Sequence, residues 1–124
     1  DVELVSAHFP RRALWVDVSV RGRPLRFYAT HFDYGSDGSS ARQQSAQLLL
    51  DDFPSDRAVV LAGDLNATPT SAPLTMLLAE LHDSWAEANP SQPGLTFPAD
   101  GPTRRIDYVL VSDTSGLLGA RLLR

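Results

Sequence analysis

The chain has 124 residues, a net charge of −4 and a pI near 5.2, with 43% hydrophobic and 21% charged residues. That is the length of one domain with enough apolar content for a core, which excludes wholesale disorder, and the acidic balance speaks against a bulk basic nucleic-acid surface. Cysteine is absent and all 11 basic residues are arginine, so disulfide scaffolds, Cys-ligated metal sites, thiol nucleophiles, Schiff bases and a P-loop lysine are excluded as well.

Residues 13–20 (ALWVDVSV) are rich in strand formers and alternate apolar with polar from Val16 to Val20, as a half-buried strand does. Arg21-Gly22-Arg23-Pro24 is a turn signal, and residues 25–30 (LRFYAT) read as the second strand of a β-hairpin. Residues 31–40 form a polar, glycine-containing loop in which Ser39 or Ser40 is placed to cap a helix over 41–53, with Pro54 as its stop. Residues 58–62 (AVVLA) are wholly apolar and suit a strand buried on both faces. A loop over 63–69 leads to a helix over 73–81, capped by Ser71 with Pro73 in its first turn. After Pro-rich loops at 89–94 and 98–102 come a strand over 106–111 and a further strand over 117–123. The pattern is one α/β unit without repeats or linkers. No apolar run reaches the ~20 residues of a transmembrane helix, and Asp1 and Glu3 put acid where a signal peptide carries base. Cytoplasmic and secreted locations are equally open.

The segment Leu61-Ala62-Gly63-Asp64-Leu65-Asn66 ends a buried strand with an acid and an amide two residues apart. At a period of two, Asp64 and Asn66 face the same way. The carboxylate can take a proton or hold a metal-bound water, and the carboxamide can donate to a developing oxyanion. The same residues also suit ordinary turn hydrogen bonds. Thr30-His31-Phe32-Asp33 is a second polar cluster at a strand end. His31 suits a catalytic electrophile, a proton carrier or a plain surface position. His8 and His82 read as structural. Asp107 falls inside an apolar strand, where a carboxylate must be paired. Its partner is Arg104 or Arg105, or else a histidine whose tautomer it fixes. With no serine elbow, no cysteine and no Gly-rich phosphate loop, the chemistry left for these strand ends is metal-assisted hydrolysis.

Taken in order, Thr30-His31, Arg42 with Gln44 and Ala46, Leu61-Ala62-Gly63-Asp64-Leu65-Asn66-Ala67 with Pro69 and Ser71, Leu95-Thr96-Phe97, and Arg105-Ile106-Asp107-Tyr108 resemble the endonuclease/exonuclease/phosphatase (DNase I-like) superfamily. The resemblance runs from about Arg12 to Ser112. It implies an α/β fold: part of the superfamily's two-sheet α/β sandwich, here mostly one sheet with flanking helices. It implies phosphoester hydrolysis by activated water, with Mg²⁺ or Mn²⁺ as cofactor. Carried over by position, His31 would hydrogen-bond the scissile phosphate. Asp64 would orient or deprotonate the attacking water and touch the metal. Asn66 would stabilise the transition state, and Asp107 would orient a catalytic histidine. Thr96 would contact substrate together with His31 and Asn66, and Arg42 would anchor a helix or a loop.

Members of that superfamily are longer. Their first half, with its glutamate metal ligand, and their terminal Ser-Asp-His segment have no counterpart here. Residues 1–124 are therefore expected to be a single partial domain, inactive as a fragment. Its expected partners are the missing N-terminal half of the same domain and a phosphoester substrate, whether nucleic acid, phospholipid head group or small phosphodiester. The negative charge leans away from long DNA. A missing sheet would leave an apolar face open to association. The competing readings are a non-catalytic degenerate half-domain that binds a partner through that face, and an unrelated α/β hydrolase with a coincidental triad of His31, Asp64 and Asp107.

Overall fold

The structure, a computed structural model, describes residues 1–112. Its elements run β1 (Val2–Glu3), β2 (Arg12–Val20), β3 (Arg23–His31), a 3₁₀ turn (Ser36–Gly38), α1 (Ser39–Asp52), β4 (Ala58–Asp64), α2 (Ala72–Leu78), β5 (His82–Asp83), α3 (Ser84–Ala88) and β6 (Asp107–Val111). They build one mixed six-stranded sheet in the order β1-β2-β3-β4-β6-β5. The α/β expectation and its one sheet with flanking helices hold. The strand expected over 117–123 lies outside the described residues. Among the described residues no helix is long and apolar enough to cross a membrane.

The hairpin β2–β3 closes through a two-residue turn in which Arg21 (φ 52°) and Gly22 (φ 79°) are both left-handed, the conformation whose twist matches the flanking strands. β3 and β4 are parallel, and α1 makes the crossover between them. β6 then runs antiparallel to β4.

Alternation along the strands sorts the sheet into two unlike faces. Tyr28, Leu61, Tyr108 and Leu110 point to the face covered by α1 and α2 and pack with Leu49, Leu74 and Leu77 into the main core. Leu14, Val16, Val18, Phe27 and Val109 stand on the other face and are exposed, Leu14 at 60% and Val16 at 53%. Cross-strand register makes that face continuous, with Val16, Phe27, Val60 and Val111 in one row.

Several boundaries differ from the sequence reading by a few residues, and three differences have a clear local reason. The 3₁₀ turn carries the chain into α1 at Ser39, so Gly38 is the N-cap and neither Ser39 nor Ser40 caps the helix. Helix α2 stops at Leu78 because Glu80 and Leu81 bond back to the carbonyl of Leu77 and close it as a turn. β4 continues two residues past Ala62 because the parallel ladder to β3 extends through Gly63 and Asp64. In α1, Ser45 takes a core position without penalty because its hydroxyl both donates to the carbonyl of Val5 and accepts from the Val5 N–H, each at 3.1 Å.

Candidate active site

The β3–β4–β6 register sets His31 opposite Asp64, and Asp64 opposite Asp107. The three side chains therefore form one row across three adjacent strands, at one end of the sheet and on its open face. The Asp64 carboxylate lies 3.4 Å from Nε2 of His31. Buried neighbours in the chain hold the row in place. Phe32 follows His31 and Leu65 follows Asp64, both with no exposed surface, and Ile106 precedes Asp107 at 5% exposure. Apolar anchoring one residue away from each polar group lets those groups reach solvent from a rigid frame.

Gly63 makes the close strand approach possible. Its φ is 149°, and a Cβ there would lie 1.9 Å from the carbonyl oxygen of Thr30. Only glycine leaves room for that carbonyl. The Phe32 N–H donates to the Asp64 carbonyl, and the Leu65 N–H to that of Ile106, both at 2.9 Å, so the ladder extends just past the row.

Asn66 does not continue the strand. It is left-handed, with φ 48°, so the expectation that it faces the same way as Asp64 by strand alternation is corrected. It meets the site by another route. Its backbone N–H donates to Oδ1 of Asp64, and its side-chain amide donates to the carbonyl of Phe32, both at 2.8 Å. Asparagine suits both tasks, since it tolerates the left-handed region better than most residues and carries a short donor. The Tyr108 hydroxyl donates to the carbonyl of Ala67 at 2.7 Å and ties this loop to β6. Burial raises the Tyr108 phenol well above its ordinary value, so the donor stays protonated.

Asp107 is exposed rather than buried, and neither Arg104 nor Arg105 is its partner. Arg105 grips Asp83 instead, through two bonds of 2.6 and 2.7 Å in a buried pair. The Asp83–Arg105 pairing was not foreseen. The two residues are far apart in sequence, and only the β5–β6 contact brings them together.

A cleft of about 650 Å³ opens beside the row. Asp64, Asp107 and Thr96 line it together with Trp85, Leu95 and Gly94. Thr96 thus shares the cleft with the carboxylates, and its hydroxyl also accepts the N–H of Ile106 at 3.1 Å, which fixes the start of β6. His31 and Asn66 stand outside that lining. Asn66 borders a smaller recess of about 230 Å³ with Arg42 and Ser71. Arg42 anchors the loop after β3, as expected, by donating to the carbonyls of Asp33 and Gly35 at 3.0 and 2.8 Å. His82 pairs with Glu87 at 2.7 Å, away from the row.

Two carboxylates, an imidazole and an amide at one sheet end can bind a water or cation, accept a proton and donate to an anion. Asp64 and Asp107 offer hard oxygen donors of the kind Mg²⁺ and Mn²⁺ prefer. Among the described residues, no group of three or more His, Cys, Asp or Glu is gathered closely enough to hold a metal ion by itself.

The chain is similar to several solved structures. The human Nocturnin catalytic domain with bound sulfate anion superposes with a TM-score of 0.74 at 17% identity, over 90% of this chain and 46% of that one. The endonuclease/exonuclease/phosphatase from Beutenbergia cavernae gives a TM-score of 0.67 at 28% identity, over 86% and 33%. The Bacteroides thetaiotaomicron mannosyl-6-phosphatase gives 0.68 at 22% identity, over 87% and 45%. This chain thus spans less than half the length of each of them. No curated protein sequence matches it. The sequence profile of the Endonuclease/Exonuclease/phosphatase family matches residues 4–123, and the ordered motifs, the sheet and the strand-end row place the chain in that family.

Proposed function

We propose that the chain carries the strand-end half of a metal-dependent phosphoesterase centre, completed by a second part of the same domain. The observation that supports this reading best is the single row of His31, Asp64 and Asp107, with Asn66 clasped onto it. Family membership supports phosphoester hydrolysis. The likeness to a mannosyl-6-phosphatase, and to a nocturnin domain that holds sulfate, supports a tetrahedral anion as the group bound.

In this reading His31 donates to a non-bridging phosphate oxygen, where charge builds as the ester opens. Asp64 has Oδ1 occupied by the Asn66 N–H, and its Oδ2, 3.4 Å from Nε2 of His31, would orient a water beside that ring and take its proton. Asn66 spends one amide hydrogen on Phe32 and keeps the other for the phosphate. Asp107 is placed to orient the ring of a histidine supplied by the completing part of the domain, since the three histidines of this chain are His8, His31 and His82. Asp64 would hold Mg²⁺ or Mn²⁺ together with ligands from the second part of the domain. A bound cation would supply charge neutralisation and a more acidic water. Thr96 lines the cleft beside the row, where the rest of a substrate would extend from the phosphate, and the net charge of −4 favours a small phosphoester over long DNA.

The test is turnover of a generic phosphodiester and a phosphomonoester with Mg²⁺ or Mn²⁺, by this chain and by a longer polypeptide that contains it. The chain alone is expected to be nearly inactive. The longer form is expected to be active and to lose about 100-fold or more on Asp64→Ala or Asn66→Ala. Robust turnover by the 124-residue chain, abolished by the same substitutions, would overturn the half-centre reading.

The open apolar face favours a second sheet as the completing part. Leu14, Val16, Val18 and Phe27 are more apolar exposure than a free-standing sheet face ordinarily carries. A longer polypeptide that folds with this face still exposed would favour a non-catalytic binding module instead.

A further inference from the structure

Asp33 lies two residues past His31 and has no exposed surface. Burial works against its charge, but three donors outweigh that cost. The Ala7 N–H donates to Oδ2 and the His8 ring meets Oδ1, both at 2.8 Å, and the Tyr34 N–H adds a third bond, so the carboxyl is held down to about 2. The other nitrogen of His8 meets Oδ2 of Asp37 at 3.1 Å. An ionised carboxylate only accepts, so both contacts are hydrogen bonds only when both ring nitrogens carry protons. The ring also stacks on Tyr34, with centroids 4.1 Å apart.

This clamp adjoins the candidate site through the backbone. His31, Phe32, Asp33 and Tyr34 form one short turn. The Phe32 N–H is bound to Asp64 and the Phe32 carbonyl to Asn66. Arg42 holds the Asp33 carbonyl from the α1 side. The side chain of Asp33 is a further hold on the turn, through the Ala7 and Tyr34 N–H groups and the His8 ring, and His8 is its only side-chain partner among the described residues.

We propose that His8 and Asp33 are positioning residues for the candidate site: their pair fixes the turn that presents His31 and carries the Phe32 carbonyl on which Asn66 hangs. The groups facing the His8 ring are Asp33 and Tyr34 from the β3–α1 connection and Asp37 from the 3₁₀ turn. Arg11, from the segment before β2, reaches over the Tyr34 ring at 5.9 Å. A doubly protonated His8 locks the turn. Loss of one proton leaves a nitrogen lone pair against a carboxylate and releases one side of the clamp. The inference rests on reading His31 and Asn66 as the phosphate-facing pair. Turnover tests that reading, whereas the experiment here reads the turn itself.

The experiment is a nuclear magnetic resonance pH titration of the 124-residue chain across the neutral range. It follows the His8 ring, the exchange rate of the Phe32 amide and the Asn66 side-chain amide. As His8 loses its proton, the Phe32 amide is expected to exchange about tenfold faster than its intrinsic pH dependence gives, the worth of one charge-assisted hydrogen bond. The Asn66 resonances are expected to move with the same midpoint. Asp37→Asn removes an exposed carboxylate and should lower both midpoints together. His8→Gln should abolish the transition and leave Phe32 fast at every pH. Midpoints that part company in Asp37→Asn, or a slow Phe32 amide in folded His8→Gln, would overturn the proposal. If His8→Gln does not fold, Asp37→Asn decides the matter alone.

Discussion

Thr30 and Gly63 face each other across the parallel β3–β4 pair so closely that a Cβ on Gly63 would fall 1.9 Å from the Thr30 carbonyl oxygen. Since His31 and Asp64 come next on each strand, this contact sets the spacing of the candidate site.

Gly63→Ala should therefore be among the most damaging single changes. The added carbon meets backbone, which cannot move aside as a flexible side chain can, and φ at 149° is strained for any L side chain. We expect a loss of about 3 kcal/mol or failure to fold. Urea unfolding of the two chains checks it, and a change under about 1 kcal/mol would show that the strands can separate here without cost.

Asn66→Gly and Asn66→Ala separate conformation from clasp. Both remove the bond to the Phe32 carbonyl, but glycine accepts φ 48° and alanine does not. Alanine should destabilise by about 1 kcal/mol more than glycine. Equal midpoints in denaturant would mean that the left-handed turn relaxes freely.

The buried Asp83–Arg105 pair predicts strong non-additivity. Removing one partner leaves the other charged and buried, at about 3–5 kcal/mol, whereas removing both leaves no unpaired charge. The double variant Asp83→Ala/Arg105→Ala should thus be more stable than the sum of the single losses implies. Simple addition in a double-mutant cycle would count against a coupled pair.

The His8–Asp33 clamp predicts a stability window in pH. His8 titrates above its ordinary 6.5, chiefly through the hydrogen bond to Asp33, so its contribution is complete below 6.5 and fades as pH rises through the raised value. Asp33 titrates at about 2 rather than 3.8, so its contribution is complete above 3.8 and is lost as pH falls toward 2. The stability difference between the wild-type chain and His8→Gln should be largest between 3.8 and 6.5 and shrink on both sides. A pH-independent difference would rule out an ionic origin.

The open sheet face predicts self-association. Leu14, Val16, Val18 and Phe27 lie together on adjacent strands and are exposed. Sedimentation velocity at micromolar concentration should show dimers or larger species, and Val16→Arg should shift them toward monomer at a cost below about 1 kcal/mol in stability. Monomeric behaviour of the unsubstituted chain would show that the face is covered in another way.

Much of the candidate site was legible because its residues cluster locally at strand ends. His31, Asp64, Asn66 and Asp107 each sit beside a strong apolar run, and strand period and end are local properties. Asp107 illustrates the limit. Its neighbours suggested burial and an arginine partner, yet alternation puts Ile106 and Tyr108 inward and Asp107 out. Asn66 shows another. Two-residue spacing implied a shared direction with Asp64, but one left-handed residue replaced that with a pair of hydrogen bonds. The short β1, β5 and α3 were not anticipated, since two to five residues hold their shape only through contacts elsewhere in the chain.

The sequence by itself determined the α/β class, the main strands and helices, the family and the residues with chemistry to offer. These follow from short-range pattern: periodicity, turn residues and motif order. Only the tertiary structure decided that His31, Asp64 and Asp107 share one row, that Arg105 answers to Asp83, and that His8 closes on Asp33. Those relations depend on strand register and on which segments pack together. Side chains 25 or more residues apart, such as His8 and Asp33, meet only once burial of the apolar core has fixed the path of the chain between them.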